Sequence, residues 1–157
     1  VRLAAIFPAP RRLAPVYNEI LVATDGSDAS GVAVDHAVTV ADNFGATVHL
    51  LHVVDIGMEM SGSAEGAIAN QLTDTLDELA TEALGEAESR AAEVGVPTER
   101  VALEGVPHEA IVDYCADHGI DLVVLGSTGR SGITEHLMGS TTDRVARSVE
   151  ASVLIAR

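Results

Sequence analysis

Short apolar runs rich in β-branched residues alternate along this chain with longer stretches in which apolar positions recur every three to four residues. "EILVAT" (19–24) has the character of a buried strand. Asp25-Gly26-Ser27 then supplies a turn and a helix cap, and Val34, Ala37, Val38 and Ala41 fall on one helical face that Gly45 brings to an end. "TVHLLHVV" (47–54) is a second strand, and "DIGMEMSGSAEGA" (55–67) is a loop of small residues, of which 55–66, rich in glycine and containing methionine, suits a mobile lid or a partner surface. A long helix over about 67–95 follows, its stripe traced by Leu72, Leu76, Leu79, Ala83, Ala87, Ala91 and Val94 and its end marked by Gly95 and Pro97. The rest of the pattern predicts a strand "RVALEG" (100–105), a helix from Pro107 to His118 using Ile111, Tyr114 and Cys115, and a strand "DLVVLG" (121–126). A glycine-rich loop, a helix from about Ser140 and a last strand "ASVLIA" (151–156) complete it.

Five strands alternating with four helices, the strands reading as continuous apolar runs, predict an α/β fold. It is a single-domain, doubly wound, Rossmann-like parallel sheet covered by helices on both faces. In such a sheet, ligands sit beyond the carboxyl ends of the strands, at the point where strand order reverses. Three segments should end there: Thr24-Asp25-Gly26, Val53-Val54-Asp55 and Gly126-Ser127-Thr128.

Composition narrows the functions. The chain carries 24 acidic residues against nine basic ones, all arginine, for a formal charge of −15. That charge repels nucleic-acid backbones and anionic lipid, so neither is an expected partner. An acid-rich chain without lysine fits a halophilic cytoplasm, where salt screens self-repulsion. The single Cys115 excludes an intrachain disulfide, and no apolar stretch is long enough to span a bilayer. Residues 1–15, with three prolines, three arginines and no acid, differ from the remainder and read as a flexible leader before a domain over 16–157.

The candidate chemistry lies in "GSTGRSGITEHLMGST" (126–141), a glycine loop between a strand and a helix. Gly126, Gly129 and Gly132 allow close backbone approach or positive φ. The hydroxyls of Ser127, Ser140 and Thr141, with the amides of a helix N-terminus, would suit a phosphate chain; without a ligand, Ser140 would cap the helix. The alternative from composition is a plain flexible connector. A Walker A loop and a receiver domain both need a lysine that this chain lacks, and neither Gly-x-Gly nor Gly-x-Ser-x-Gly occurs. Asp25 serves either a ligand or the turn. His49 and His52, three apart on a strand, face opposite ways and cannot share a metal. Each reads as structural, Cys115 as core, and His136 as a phosphate contact or a solvated loop residue.

The spacing Gly-x2-Gly-x9-Gly-Ser/Thr from Gly126, together with "ILVATDGSDAS" (20–30) and "LHVVD" (51–55), resembles the universal stress protein family, ATP-binding subgroup. The resemblance spans about residues 17–157 and implies a five-stranded parallel sheet and dimers formed through the last strand, Ser152 to Ala156. It implies ATP with Mg²⁺ or Mn²⁺ as ligand: Ala23, Thr24 and Asp25 beside the nucleoside, Asp25 near the ribose or the metal, and Val53 on the adenine. Gly126, Ser127, Gly129, Arg130, Gly139, Ser140, Thr141 and Thr142 would surround ribose and phosphates. Position 23 is often proline in the family, and Ala23 preserves an apolar contact. The implied function is nucleotide-dependent regulation in the stress response with slow hydrolysis at most. An ATP-consuming enzyme using Asp25 or His136 as base, and a dimeric scaffold or apolar-ligand module, are the alternatives.

Overall fold

In the computed structural model the described residues are 16–55, 66–128 and 138–157, the side chains of 66–77 and 79 excepted. The leader, the side chains of Leu72, Leu76 and Leu79 of the helical stripe, nearly all of the expected lid, and Gly129, Arg130 and His136 lie outside them. Elements follow in the order β1 (Glu19–Ala23), α1 (Asp28–Phe44), β2 (Thr47–Val54), α2 (Gly66–Val94), β3 (Thr98–Glu104), α3 (Pro107–His118), β4 (Leu122–Gly126), α4 (Ser140–Ser148) and β5 (Ser152–Ala156). The strands form one parallel sheet in the order β3-β2-β1-β4-β5.

The chain winds outward from β1 through β2 to β3, then returns to β4 on the other side of β1 and ends at β5. Right-handed crossovers therefore place the two pairs of helices on opposite faces. Side-chain alternation along each strand feeds both. Ile20, Val22, Val48, Leu50 and Val124 pack with Ala33, Val34, Ala37, Val38 and Ala41 of α1 and Leu84, Ala87 and Ala91 of α2. Leu21, Leu51, Val123 and Leu125 pack with Ile111, Tyr114 and Cys115 of α3 and Val145 of α4. Each large aliphatic side chain so buried contributes about 1.5–3 kcal/mol.

Local chemistry sets the boundaries. Ser27 caps α1, its side chain accepting from Ser30 N–H at 3.2 Å, and Gly45 closes α1 in the left-handed region at φ 69°. Two expectations need correction. Val94 does not continue the buried stripe: it is 53% exposed at the last turn of α2, and Val96 beyond Gly95 turns inward instead. β3 begins at Thr98 rather than Arg100, because its backbone pairs with β2 through polar residues on an edge whose side chains are largely exposed. Among the described residues no helix is long and apolar enough to cross a membrane.

Candidate functional site

The order reversal falls between β1 and β4, and a cavity opens at their carboxyl ends. Its first wall is the turn leaving β1. Thr24 N–H makes a last ladder bond to Leu51 O at 2.9 Å. Asp25 Oδ1 accepts from Ser27 N–H at 3.0 Å, Gly26 takes φ 77°, and Gly26 N–H donates to Thr24 Oγ1 at 3.2 Å. Ser30 Oγ donates to Ser27 O at 2.8 Å, so across the 3.1 Å contact between the two hydroxyls it is Thr24 Oγ1 that donates to Ser30 Oγ. The turn is thus held by its own short side chains.

The second wall is apolar: Leu51 and Val53 of β2 with Pro107 and Ile111 of α3. Pro107 begins α3, and Ile111 lies one turn on, so both look from the same helical face. The third wall joins the end of β4 to the start of α4. Ser127 O accepts from Gly139 N–H at 2.8 Å, Ser127 N–H donates to Ala156 O, and Thr142 Oγ1 donates to Gly126 O at 2.8 Å. Gly126 has no room for a side chain: a Cβ there would lie 2.8 Å from the backbone C and O of Ala29. Its bareness lets the first turn of α1 sit on the end of β4.

Ser140 is not the cap that the sequence suggests. Gly139 occupies the N-cap position in an extended conformation, without a side-chain cap, and Ser140 is the first helical residue. Among the described residues no side chain caps the opening amides of α4, and with Ser140, Thr141 and Thr142 they border the cavity. A helix N-terminus of this kind attracts anions through its N–H groups and dipole.

Of the described residues expected at the site, Ala23, Thr24, Asp25, Val53, Gly126, Gly139, Ser140, Thr141 and Thr142 all line this cavity, and Ser127 does not. Leu51, Ser30, Pro107, Ile111 and Thr128 also line it. Pro107 and Ile111 carry no signal of their own beyond standing on the helix that follows β3.

Other polar groups serve the framework. A second groove, between α1 and α2, is lined by Asp28, Asp35, Glu86 and Arg90, but Arg90 is engaged by Asp35 at 2.8 Å and Glu86 at 2.8 Å, and both carboxylates raise its pKa. His49 and His52 face opposite sides of the sheet, bonding Tyr114 and Glu19 in one case and Thr24 O in the other. Burial pushes the Cys115 thiol up to about 11, so it is no nucleophile at neutral pH. Among the described residues no group of three or more His, Cys, Asp or Glu is arranged to hold a metal.

Comparison with known proteins agrees with this architecture. The model of the universal stress protein family matches residues 17–157. Universal stress protein MJ0531 of Methanocaldococcus jannaschii is 36% identical over 142 residues, which cover 90% of this chain and 83% of that protein. The solved structure of MJ0577 from the same archaeon aligns with a TM-score of 0.78 at 30% identity, over 90% of this chain and 96% of that one. A universal stress protein solved in complex with cAMP aligns with a TM-score of 0.70 at 30% identity, over 90% of this chain and 98% of its own.

Proposed function

The chain belongs to the universal stress protein family, and from that premise we propose that it is an adenine-nucleotide-binding regulatory protein of the stress response. ATP with Mg²⁺ or Mn²⁺ is its ligand, and hydrolysis is slow at most. The observation that carries the reading is the meeting, at one cavity, of three segments far apart in sequence: the Ala23-Thr24-Asp25 turn, Val53, and Gly126 with Gly139 to Thr142. The apolar wall of Leu51, Val53, Pro107 and Ile111 suits a planar base. The start of α4, without a side-chain cap on Gly139, suits the phosphates, and Gly129 and Arg130, outside the described residues, would complete the phosphate loop as the family motif implies. The cAMP complex of a relative at 30% identity supports the adenine half of the ligand.

The donor set fits a metal that arrives with the nucleotide. Mg²⁺ is ordinarily held by one or two carboxylates plus substrate phosphates, and Asp25, half-buried on the cavity wall, is the carboxylate here. When bound, the ion would offset phosphate charge that a lysine-free site otherwise leaves to Arg130. We also propose a homodimer through Ser152 to Ala156. Among the described residues β5 pairs only with β4, and Val153, Leu154 and Ile155 are half-buried, an edge that a second copy would cover.

Calorimetric titration of Mg-ATP into the protein in molar KCl, with analysis of nucleotide released on acid precipitation, tests the reading. Saturable binding or co-purified adenine nucleotide is expected. Absence of both would overturn it and favour a scaffold role.

A further inference from the structure

We infer that His52 is a positioning residue for the site: its imidazole fixes the Thr24–Ser27 turn, and through that turn it sets nucleotide affinity. His52 is 6% exposed, on the sheet face opposite Leu51 and Val53, and its Nδ1 lies 2.8 Å from Thr24 O. A carbonyl only accepts, so Nδ1 carries the proton and the tautomer is set. Thr24 is the first residue past the last β1–β2 register pair, Ala23↔Leu51, where the strand turns away from its ladder. A buried carbonyl leaving a sheet needs another donor, and His52 supplies it.

The consequence reaches the cavity through one peptide plane. The Thr24–Asp25 bond is trans, so pinning Thr24 O on the His52 side directs the Asp25 N–H to the other side and fixes where the Asp25 chain leaves the plane. The bonds from Gly26 N–H to Thr24 Oγ1 and from Ser27 N–H to Asp25 Oδ1 hang from that plane. The side-chain bonds that join Thr24, Asp25, Gly26, Ser27 and Ser30 to one another run between residues two to six apart. The bond from His52, 28 residues away in sequence, anchors this local knot to the rigid sheet.

The affinity part rests on the proposed nucleotide site, and the positioning part does not. Three variants separate donor from volume. His52→Leu removes the donor, His52→Asn keeps an amide N–H where Nδ1 stood, and His52→Gln places it one bond farther out. Amide exchange at Gly26 and Ser27 in the nucleotide-free protein should rise about tenfold in the Leu and Gln variants, roughly the effect of one lost hydrogen bond. It should return to within about twofold of wild type in the Asn variant, and the Mg-ATP dissociation constant should follow the same order. Unchanged exchange in His52→Leu, or equal loss in Leu and Asn variants, would overturn the inference. Changed exchange with unchanged affinity would overturn its affinity part. If the wild type bound no adenine nucleotide, the functional reading would fall while the exchange comparison still decided the role of His52. Should His52→Leu not fold, the imidazole ¹⁵N spectrum of the wild type decides: any tautomer other than Nδ1–H contradicts the geometry.

Discussion

At the amino end of the sheet the Asp121 carboxylate accepts from the main-chain N–H groups of Asn18 at 2.7 Å and Glu19 at 3.0 Å, residues about a hundred positions away. At the carboxyl end the Asp25 carboxylate accepts from Ser27, two positions on. The contrast extends to the neighbours. His49 links Glu19 of β1 to Tyr114 of α3 at the amino end, whereas Thr24, Ser27 and Ser30 bond one another within a single turn. Polar groups at one end are spent joining elements distant in sequence. At the other they shape loops from within, so the outer surfaces of those loops face a cavity. Two longer ties hold the loops to the frame, His52 to Thr24 O and Thr142 to Gly126 O. One end works as a clasp, and the other lines the cavity proposed as the nucleotide's seat.

That division predicts that damage at the two ends is read by different measurements. The largest effect is expected at the seat, where Gly126→Ala puts a methyl 2.8 Å from the Ala29 backbone. It should cost about 2–3 kcal/mol in urea unfolding, as overpacking against backbone does, and weaken Mg-ATP binding at least roughly tenfold by displacing the first turn of α1. Normal stability and affinity in that variant would deny the close packing. At the clasp, Asp121→Ala should cost about 1–2 kcal/mol by orphaning two N–H groups while leaving nucleotide affinity unchanged. The N–H groups of Asn18, and then of Glu19, hold the Asp121 carboxyl below its ordinary 3.8. A lowered folded-state pKa stabilises fully above the unfolded value and is lost as pH falls through the folded one. The stability gap between wild type and Asp121→Ala should therefore be constant near neutrality and close below about pH 4; a gap that widened on acidification would contradict the assignment. The smallest effect belongs to neither end. Arg90→Ala removes an exposed bridge from α2 to Asp35 of α1. It should cost less than about 1 kcal/mol at low salt, shrinking further in molar KCl.

The clasp and the seat were unequally legible in the sequence. Apolar runs and helical spacing gave β2 and α3 to the residue, Ser27 and Gly45 announced the ends of α1, and the two-residue period placed His49 and His52 on opposite faces. Polar Thr98 and Glu99 hid the start of β3, since a pattern reading sees side chains while the strand is made by backbone pairing. Val94 keeps the spacing of a buried stripe but is exposed at the last turn of α2, where Val96 turns into the core instead. At the site, Thr24, Asp25 and Gly126 were legible because turn chemistry and glycine mark strand ends. Pro107 and Ile111 were not, because a cavity wall supplied by a helix on the opposite face is a tertiary fact, and Ile111 has the same spacing as its core neighbours. Ser140 reads as a cap because serine before a helix usually caps it, whereas here Gly139 takes that place.

The central claim, that the loops at the carboxyl end seat an adenine nucleotide, is tested most directly by ¹⁵N–¹H spectra recorded during titration with Mg-ATP. Saturable shifts should appear at Thr24 to Ser27, Val53, Gly126 to Thr128 and Gly139 to Thr142, with Asn18, Glu19 and Asp121 at the opposite end unmoved. Shifts centred on the groove between α1 and α2, shifts at the amino end, or none at saturating nucleotide would contradict the account.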